Sequence, residues 1–200
     1  SDTDFNKSVA EGISSRLRAM GELLEKTIAL DAQGGKAIDA QSGKKAASKA
    51  AYDAADKWFY SRLHRRVKNA PSMFESFQIR ELAQEILFET FNDVQHYLKR
   101  AKEPKLREFL EYWTLLVAPF MPHIAEEFWE KLGEKKFVKD AKFVSLAHMP
   151  AADGKRIDEE MERQERFLLA TREDIVTLLR LLKKEGQAKK IHLFVADGWK

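Results

Sequence analysis

The sequence predicts a mainly α-helical protein: a helical bundle followed by one further helix and a terminal β-strand. Three observations lead to this fold class. Apolar residues recur at intervals of three and four along most of the chain, which is the spacing of one face of an α-helix. Proline and glycine stand between the periodic segments, where helices begin and end. The last apolar run is instead rich in β-branched and aromatic residues, which is typical of a strand.

The first helix is predicted to begin at Ser8, which stands three residues before Glu11 at the spacing of a capping box. Its apolar stripe is Val9, Ile13, Leu17, Met20, Leu24 and Ile28. Residues 33–51 are rich in Gly, Ala, Ser, Gln and Lys, a composition that indicates a flexible connector. We therefore expect a bundle over residues 1–150 with a flexible connector at 33–51.

Two further helices are predicted between the connector and the middle of the chain. One begins near Asp53, is expected to end at Pro71, and has as its apolar residues Trp58, Phe59, Leu63 and Val67. The next is long, with a stripe of Ile79, Leu82, Ile86, Phe91, Val94 and Leu98. Lys99, Arg100 and Lys102 lie at its C-terminal end, where the helix dipole favours cations.

Prolines mark the next two helices of the bundle. One is expected to begin at Pro104 and to run towards Pro119. The other begins at Pro122, and Gly133 is expected to end it. Residues 137–150 are short and mixed in pattern, so they are expected to be irregular or extended.

The remainder, residues 151–200, is expected to be the start of a second, truncated domain. A helix is predicted from Asp158 to Gly186. The apolar segment Ile191–Ala196 then predicts a strand. A strand with no neighbour leaves its backbone groups unpaired. Either Phe143 and Val144 pair with this strand or its partners lie elsewhere in a longer polypeptide, and the second alternative is favoured.

Composition excludes several classes of protein. The 35 basic and 32 acidic side chains nearly cancel, so nucleic-acid binding must depend on local basic patches. Without cysteine there is no disulfide framework and no thiolate nucleophile, and we expect a cytoplasmic protein. No apolar run approaches the roughly 20 residues of a membrane-spanning helix, so no membrane partner is expected.

The second helix contains an unusual pair of arginines. At 100° per residue, Arg62 and Arg66 fall in the same sector as the apolar residues of that helix. A guanidinium that faces a core needs a partner, because an unpaired buried charge is costly. Either the pair meets acids of the bundle, namely Glu85, Glu89 or Asp93, or at least one arginine meets an RNA phosphate or another domain.

Other cations are candidates for contact with phosphates. Arg65 and Lys68 point away from the apolar sector, so they should be solvated. The turn after the third helix adds Lys99, Arg100, Lys102, Lys105 and Arg107. Trp58 and Trp113 could stack on bases, but their positions on helical stripes favour the core.

Catalytic patterns are weak throughout the sequence. His123, Glu126 and Glu127 could suggest a metal site, although His123 follows a proline at a helix start, where a packing role is favoured. Asp93 and His96 offer a single carboxylate-x-x-His pair, whereas di-iron bundles need two. No nucleophile elbow, HExxH or P-loop pattern occurs. An unrelated helical enzyme is therefore the least favoured interpretation.

Three segments together resemble one family. Residues 56–63, DKWFYSRL, resemble the D-x-W-x-x-S-R-L signature of the helical anticodon-binding domain in the class I synthetases for Leu, Ile and Val. Residues 80–100, RELAQEILFETFNDVQHYLKR, are similar to the long helix of the archaeal and eukaryotic leucine enzymes. Residues 115–133, LLVAPFMPHIAEEFWEKLG, are similar to the family's L-x-A-P-F-x-P-H-x-A-E-E-x-W stretch. Residues 4–6 resemble the junction just after the family's catalytic domain. Residues 190–200 resemble the strand that begins the family's C-terminal domain.

The resemblance implies a C-terminal piece of a leucyl-tRNA synthetase, with a bundle of the class I anticodon-binding type. The catalytic HIGH and KMSKS motifs do not occur, so this chain alone should be inactive and need no cofactor. The full-length ligase would use ATP and Mg²⁺. Expected partners are tRNA(Leu) and the enzyme's own catalytic domain, in a monomer. The alternatives are a purely structural docking module, or the same region of an isoleucyl- or valyl-tRNA synthetase.

Charge pattern and resemblance together give a set of candidate RNA-binding residues. Within this set we expect Arg62 and Arg66 to organise the second helix and the others to meet phosphates. The candidates are Arg62, Arg65, Arg66, Lys68, Lys99, Arg100 and Lys102.

Overall fold

A computed structural model describes residues 7–32, 53–139, 141–183 and 190–194 of the chain. The chain divides into two compact units, residues 1–158 and residues 159–200. The predicted flexible connector at 33–51 lies outside the described residues.

The first unit is helical, as the periodicity predicts. Its α-helices are α1 (Lys7–Ala32), α2 (Ala54–Glu75), α3 (Ile79–Ala83), α4 (Thr90–Arg100), α5 (Arg107–Val117) and α6 (Pro122–Leu132). A π-helix at Gln84–Glu89 joins α3 to α4, so that one rod runs from Ile79 to Arg100. Two short 3₁₀ turns follow α6, at Val144–Leu146 and Gly154–Arg156.

The core of this unit forms around α2, which contacts α3, α4 and α5. Aromatic side chains fill it: the rings of Phe59 and Tyr97 stack with centroids 4.2 Å apart, and Phe109 lies 5.1 Å from Phe59. Trp58 and Trp113 are also buried. The placement of both tryptophans in the core, favoured by their helical spacing, is therefore confirmed.

Several predicted helix ends are confirmed. Asp53 caps α2 through a capping box in which its side chain accepts from the Asp56 backbone amide at 2.8 Å. Pro122 is the first residue of α6, where its missing amide costs no hydrogen bond. Gly133 ends α6 with φ of 62°, a left-handed conformation that glycine adopts without strain.

The predicted end of α2 at Pro71 is wrong. The helix passes through Pro71 and continues to Glu75, one turn further. Two residues beyond this end, Phe77 has φ of 56°. The amides of Phe77 and Gln78 donate to the carbonyls of Phe74 and Met73 at 3.1 and 2.9 Å. These two bonds form a Schellman ending. The packing of the rest of the helix outweighs the one backbone hydrogen bond that Pro71 removes.

Two predicted helix starts are also wrong. The first helix, α1, begins at Lys7, one residue before the predicted cap Ser8. The fourth predicted helix, α5, begins at Arg107 rather than Pro104. The reason for the late start of α5 is that side chains from other helices bind the backbone of Lys105, whose amide donates to Tyr97 Oη at 2.8 Å. Its carbonyl accepts from the hydroxyl of Tyr60.

The second unit contains α7 (Glu159–Leu181), which ends before the predicted terminus at Gly186. Gly186 lies outside the described residues. The predicted strand is wrong for residues 191–194, which are irregular and exposed, and residues 195–196 are not described. A strand is stable only beside another strand, and the described residues form none with which this segment could pair. No described helix is long and apolar enough to cross a membrane.

Candidate nucleic-acid interface

Arg62 and Arg66 of α2 are paired with acids of the rod formed by α3, the π-helix and α4. Arg62 Nε donates to Asp93 Oδ2 at 3.0 Å, and Arg66 Nε donates to Glu85 Oε2 at 3.1 Å. Arg66 Nη2 also lies 2.6 Å from Asp93 Oδ2, an ion pair without hydrogen-bond alignment. Of the two predicted destinations, pairing with bundle acids is confirmed, through Glu85 and Asp93.

The π-helix explains how both acids reach the same arginine. Glu85 and Asp93 are eight residues apart, which in an α-helix is 80° beyond two full turns. An i→i+5 turn takes up one additional residue, so the pair is spaced in angle like residues seven apart, about 20° short of two turns. The amide of Thr90 makes such a bond to the carbonyl of Glu85. The two carboxylates therefore lie in line and face Arg66.

A groove lies between α2 and the rod, which we name the arginine groove. It has a volume of about 260 Å³ and is lined by Arg62, Arg65, Arg66, Asn69, Met73, Leu82 and Glu85. Arg66 is buried, with 6% of its side chain exposed, whereas Arg62 is 28% exposed. Three guanidiniums against the carboxylates of Glu85 and Asp93 leave a local formal charge of +1.

The exposed edge of α2 is basic. Lys57 and Lys68 are exposed and Arg65 is half-buried. At 100° per residue these three side chains fall within 80° of one another, on a single stripe of the helix. The predicted exposure of Lys68 is confirmed, whereas Arg65 turns partly into the arginine groove. Lys57 was not among the predicted RNA-binding residues, although its spacing from Lys68 places it on the same stripe.

Residues 153–158 lie against α2 beside this stripe. The Asp153 amide donates to His64 Nδ1 at 3.2 Å, and the Asp158 amide donates to Ser61 Oγ at 2.8 Å. The backbone of residues 153–158 is thus bound to buried side chains of α2 at two points. Lys155 lies between these points and is exposed, so it adds a cation that the sequence pattern did not single out.

An ion pair with a buried carboxylate anchors the same segment. Arg156 donates to Glu108 Oε1 at 2.5 Å, and the guanidinium of Arg156 lies 4.3 Å from the ring centroid of Tyr60. Burial alone would raise the pKa of Glu108, but the imidazole of His64, with Nε2 3.7 Å from Oε1, and the hydrogen bond from Arg156 outweigh it and lower that pKa below 4.5. The carboxylate is therefore charged and helps to fix the position of Lys155.

The turn between α4 and α5 presents the second group of predicted cations. Lys99, Arg100 and Lys102 are all exposed there. Beneath them, Tyr97 Oη donates to Asp56 Oδ1 at 2.5 Å. Burial, followed by the Asp56 hydrogen bond, raises the pKa of Tyr97, so the phenol stays protonated and donates.

Two neighbouring cations have structural partners instead. Lys105 pairs with the buried carboxylate of Asp56. Arg107 pairs with Glu111 at 2.8 Å, and its Nη2 donates to the carbonyl of Leu132 at 2.6 Å. Both side chains thus stabilise the turn, and the exposed cations beside them are set on a fixed backbone.

Metal chemistry finds no support in the part of the chain that the structure describes. Within it, no group of three or more His, Cys, Asp or Glu side chains could bind a metal ion. Glu126, one of the weak candidates, instead accepts from the backbone amides of Val144 and Ser145 at 2.8 and 3.1 Å. Phe77 is a different surface feature that the sequence did not indicate, an 86% exposed aromatic ring at a helix end.

Comparison with known proteins identifies the family. Residues 56–193 match the family described as the anticodon-binding domain of tRNA ligase. Leucine–tRNA ligase of Methanocaldococcus jannaschii is 38% identical over 146 residues, 72% of this chain and 14% of the relative. Leucine–tRNA ligase of Archaeoglobus fulgidus is 30% identical over 200 residues, 100% of this chain and 18% of the relative. Leucine–tRNA ligase 2 of Metallosphaera sedula is 30% identical over 205 residues, 99% of this chain and 19% of the relative.

The match covers the elements that form the candidate interface. The family segment begins at Asp56, within the capping box of α2, and includes the arginine groove, the basic stripe from Lys57 to Lys68 and the α4–α5 turn. The chain spans between 14 and 19% of the length of these three relatives. The chain therefore belongs to the family of anticodon-binding domains of tRNA ligases.

Proposed function

We propose that this chain is the tRNA-binding accessory region of a leucyl-tRNA synthetase, which supports leucine attachment to tRNA(Leu) in the full-length, ATP- and Mg²⁺-dependent enzyme. The observation that carries the proposal is the pair of exposed basic surfaces on one helical unit, the α2 stripe and the α4–α5 turn. Family membership and similarity to leucine–tRNA ligases support it. The parent ligase would act in the cytoplasm as a monomer, with this bundle against its own catalytic domain.

The candidate RNA-binding residues take different roles in this proposal. Lys68, Lys99, Arg100 and Lys102 are exposed, so they can neutralise phosphates at little desolvation cost. Arg65 contacts RNA from the rim of the arginine groove. Arg62 and Arg66 first position α2 on the rod through Glu85 and Asp93. Lys57 and Lys155 extend the surface at which RNA binds.

Salt dependence tests direct RNA contact. Binding of a tRNA(Leu) transcript to the chain, followed by fluorescence anisotropy at increasing KCl, should weaken with a log–log slope of roughly 0.7–0.9 per phosphate neutralised. The double variant Arg65→Glu and Lys68→Glu should lose affinity and lower the slope by about 1.4–1.8, because two phosphate contacts are removed. Its melting temperature should change little, since Lys68 is exposed and Arg65 is only half-buried.

A charge-matched control separates local contact from net charge. Arg18 and Lys26 are exposed on α1, so Arg18→Glu with Lys26→Glu makes the same change in charge away from α2. We expect this variant to retain most of the affinity. Equal losses in the two double variants would contradict a binding surface on α2.

A second candidate function is a structural docking module with no RNA contact. The observation that favours it is that Arg62 and Arg66 already have acidic partners in the free chain. Under this alternative, the Arg65 and Lys68 reversal leaves tRNA affinity unchanged. The same titration therefore decides between the two functions.

A further inference from the structure

The two acids of the arginine groove differ in how firmly they are held. Asp93 is 11% exposed and pairs with both Arg62 and Arg66. Glu85 is 43% exposed and contacts Arg66 through Nε at 3.1 Å. A buried carboxylate shared by two guanidiniums is costly to remove, whereas an exposed ion pair contributes little. Glu85 is therefore the counter-ion that another anion can replace.

Arg66 lines the groove, and its two acidic partners occupy different nitrogens. Nη2 is buried and lies 2.6 Å from Asp93 Oδ2, so Nε, which contacts the exposed Glu85, is the donor that becomes available when Glu85 leaves. A planar guanidinium binds phosphate oxygens through two parallel N–H bonds, which a single bond from Nε to Glu85 does not satisfy. The site thus presents a positioned donor, a positive local charge and an open volume of about 260 Å³.

We propose that a backbone phosphate of RNA binds in the arginine groove by displacing Glu85 from Arg66, so that Glu85 competes with the RNA for this arginine. The inference rests on the proposed function and adds a specific site and a competing residue to it. When the phosphate enters, the Glu85 side chain turns to solvent, and Asp93 remains to fix Arg62 and Arg66. The pairing seen in the free chain is then one of two states of the same site.

The test is a gain of affinity. Glu85→Gln removes the competing charge and keeps the shape of the side chain, so a tRNA(Leu) transcript should bind about three- to tenfold more tightly at low salt. Glu81→Gln is the matched control: it makes the same charge change on the same rod, one turn earlier, at an exposed position that does not line the groove. It should change affinity less than twofold.

The outcomes distinguish this inference from the proposed function. If the wild type binds tRNA with the expected salt dependence and both variants gain equally, the groove site is overturned while the RNA-binding function stands. The same conclusion follows if Glu85→Gln binds no more tightly than the wild type. If neither the wild type nor Glu85→Gln binds, both proposals fail. A gain confined to Glu85→Gln, in a variant that keeps the cooperative urea unfolding transition of the wild type, supports the site.

Discussion

Asp93 is expected to be the residue of the candidate interface on which stability depends most. Its carboxylate contacts Arg62 Nε at 3.0 Å and Arg66 Nη2 at 2.6 Å, and it is 11% exposed. Asp93→Asn removes the charge and leaves the 6% exposed guanidinium of Arg66 with Glu85 as its remaining acidic partner. Breaking a buried ion pair of this kind costs about 3–5 kcal/mol.

The expected loss lies near the lower limit of that range. Arg62 is 28% exposed and can turn to water, and the asparagine still offers one oxygen as an acceptor. We therefore expect the free energy of unfolding to fall by about 3 kcal/mol. For a chain of this size, that corresponds to a decrease in Tm of about 6–12 °C.

Tryptophan fluorescence during urea denaturation measures this loss, because Trp58 and Trp113 lie in the same core. Glu85→Gln provides the internal comparison: its partner is the same Arg66, but Glu85 is 43% exposed, so the loss should be below about 1 kcal/mol. If Asp93→Asn costs no more than Glu85→Gln, burial does not determine the strength of these pairs, and the reasoning that makes Glu85 exchangeable fails with it.

Two further predictions concern the networks that fix the basic surface. Tyr97→Phe removes the hydroxyl that joins Asp56 to the Lys105 amide, so the buried carboxylate and the half-buried amide each lose a partner. The free energy of unfolding in urea should fall by about 2–3 kcal/mol, and an unchanged value would refute the role of this network. Glu108 has a lowered pKa in the folded state, so its contribution to stability is present above pH 4.5 and is lost as the pH falls through the folded-state value. Glu108→Gln should therefore be less stable than the wild type at neutral pH and should lose less stability on acidification. Urea denaturation from neutral pH to below pH 4.5 measures both effects, and parallel pH profiles of the two proteins would contradict them.

Periodicity was sufficient to predict the helices, because a helix of this bundle buries one face and leaves the other polar. It also predicted that Arg62 and Arg66 need acids and identified Glu85 and Asp93 among the candidates. The π-helix left a sign in the sequence: the apolar stripe of the third predicted helix passes from Ile86 to Phe91, a step of five. A step of five is what one residue inserted into a regular helix produces, so this interval was a sign of the π-helix.

The failures share a physical cause, which is that distant contacts override local preference. Pro71 did not end α2, although it removes a helical hydrogen bond. Pro104 did not start α5, because Tyr60 and Tyr97, from other helices, bind the backbone of Lys105. The apolar composition of residues 191–194 could not make a strand without a neighbouring strand. A pattern read from neighbouring residues does not include contacts that come from other elements of the fold.

The π-helix at Gln84–Glu89 makes the winding of the rod as important as its composition. If the same residues wound as a regular α-helix, everything beyond them would be rotated by about 100° and moved along the helix axis by about 1.5 Å. Asp93 would leave its arginines at the middle of α2, and Tyr97 would leave Asp56 in the first turn of the same helix. The π turn thus absorbs one surplus residue and keeps the two halves of the rod in phase, and this phase couples the arginine groove to the basic turn.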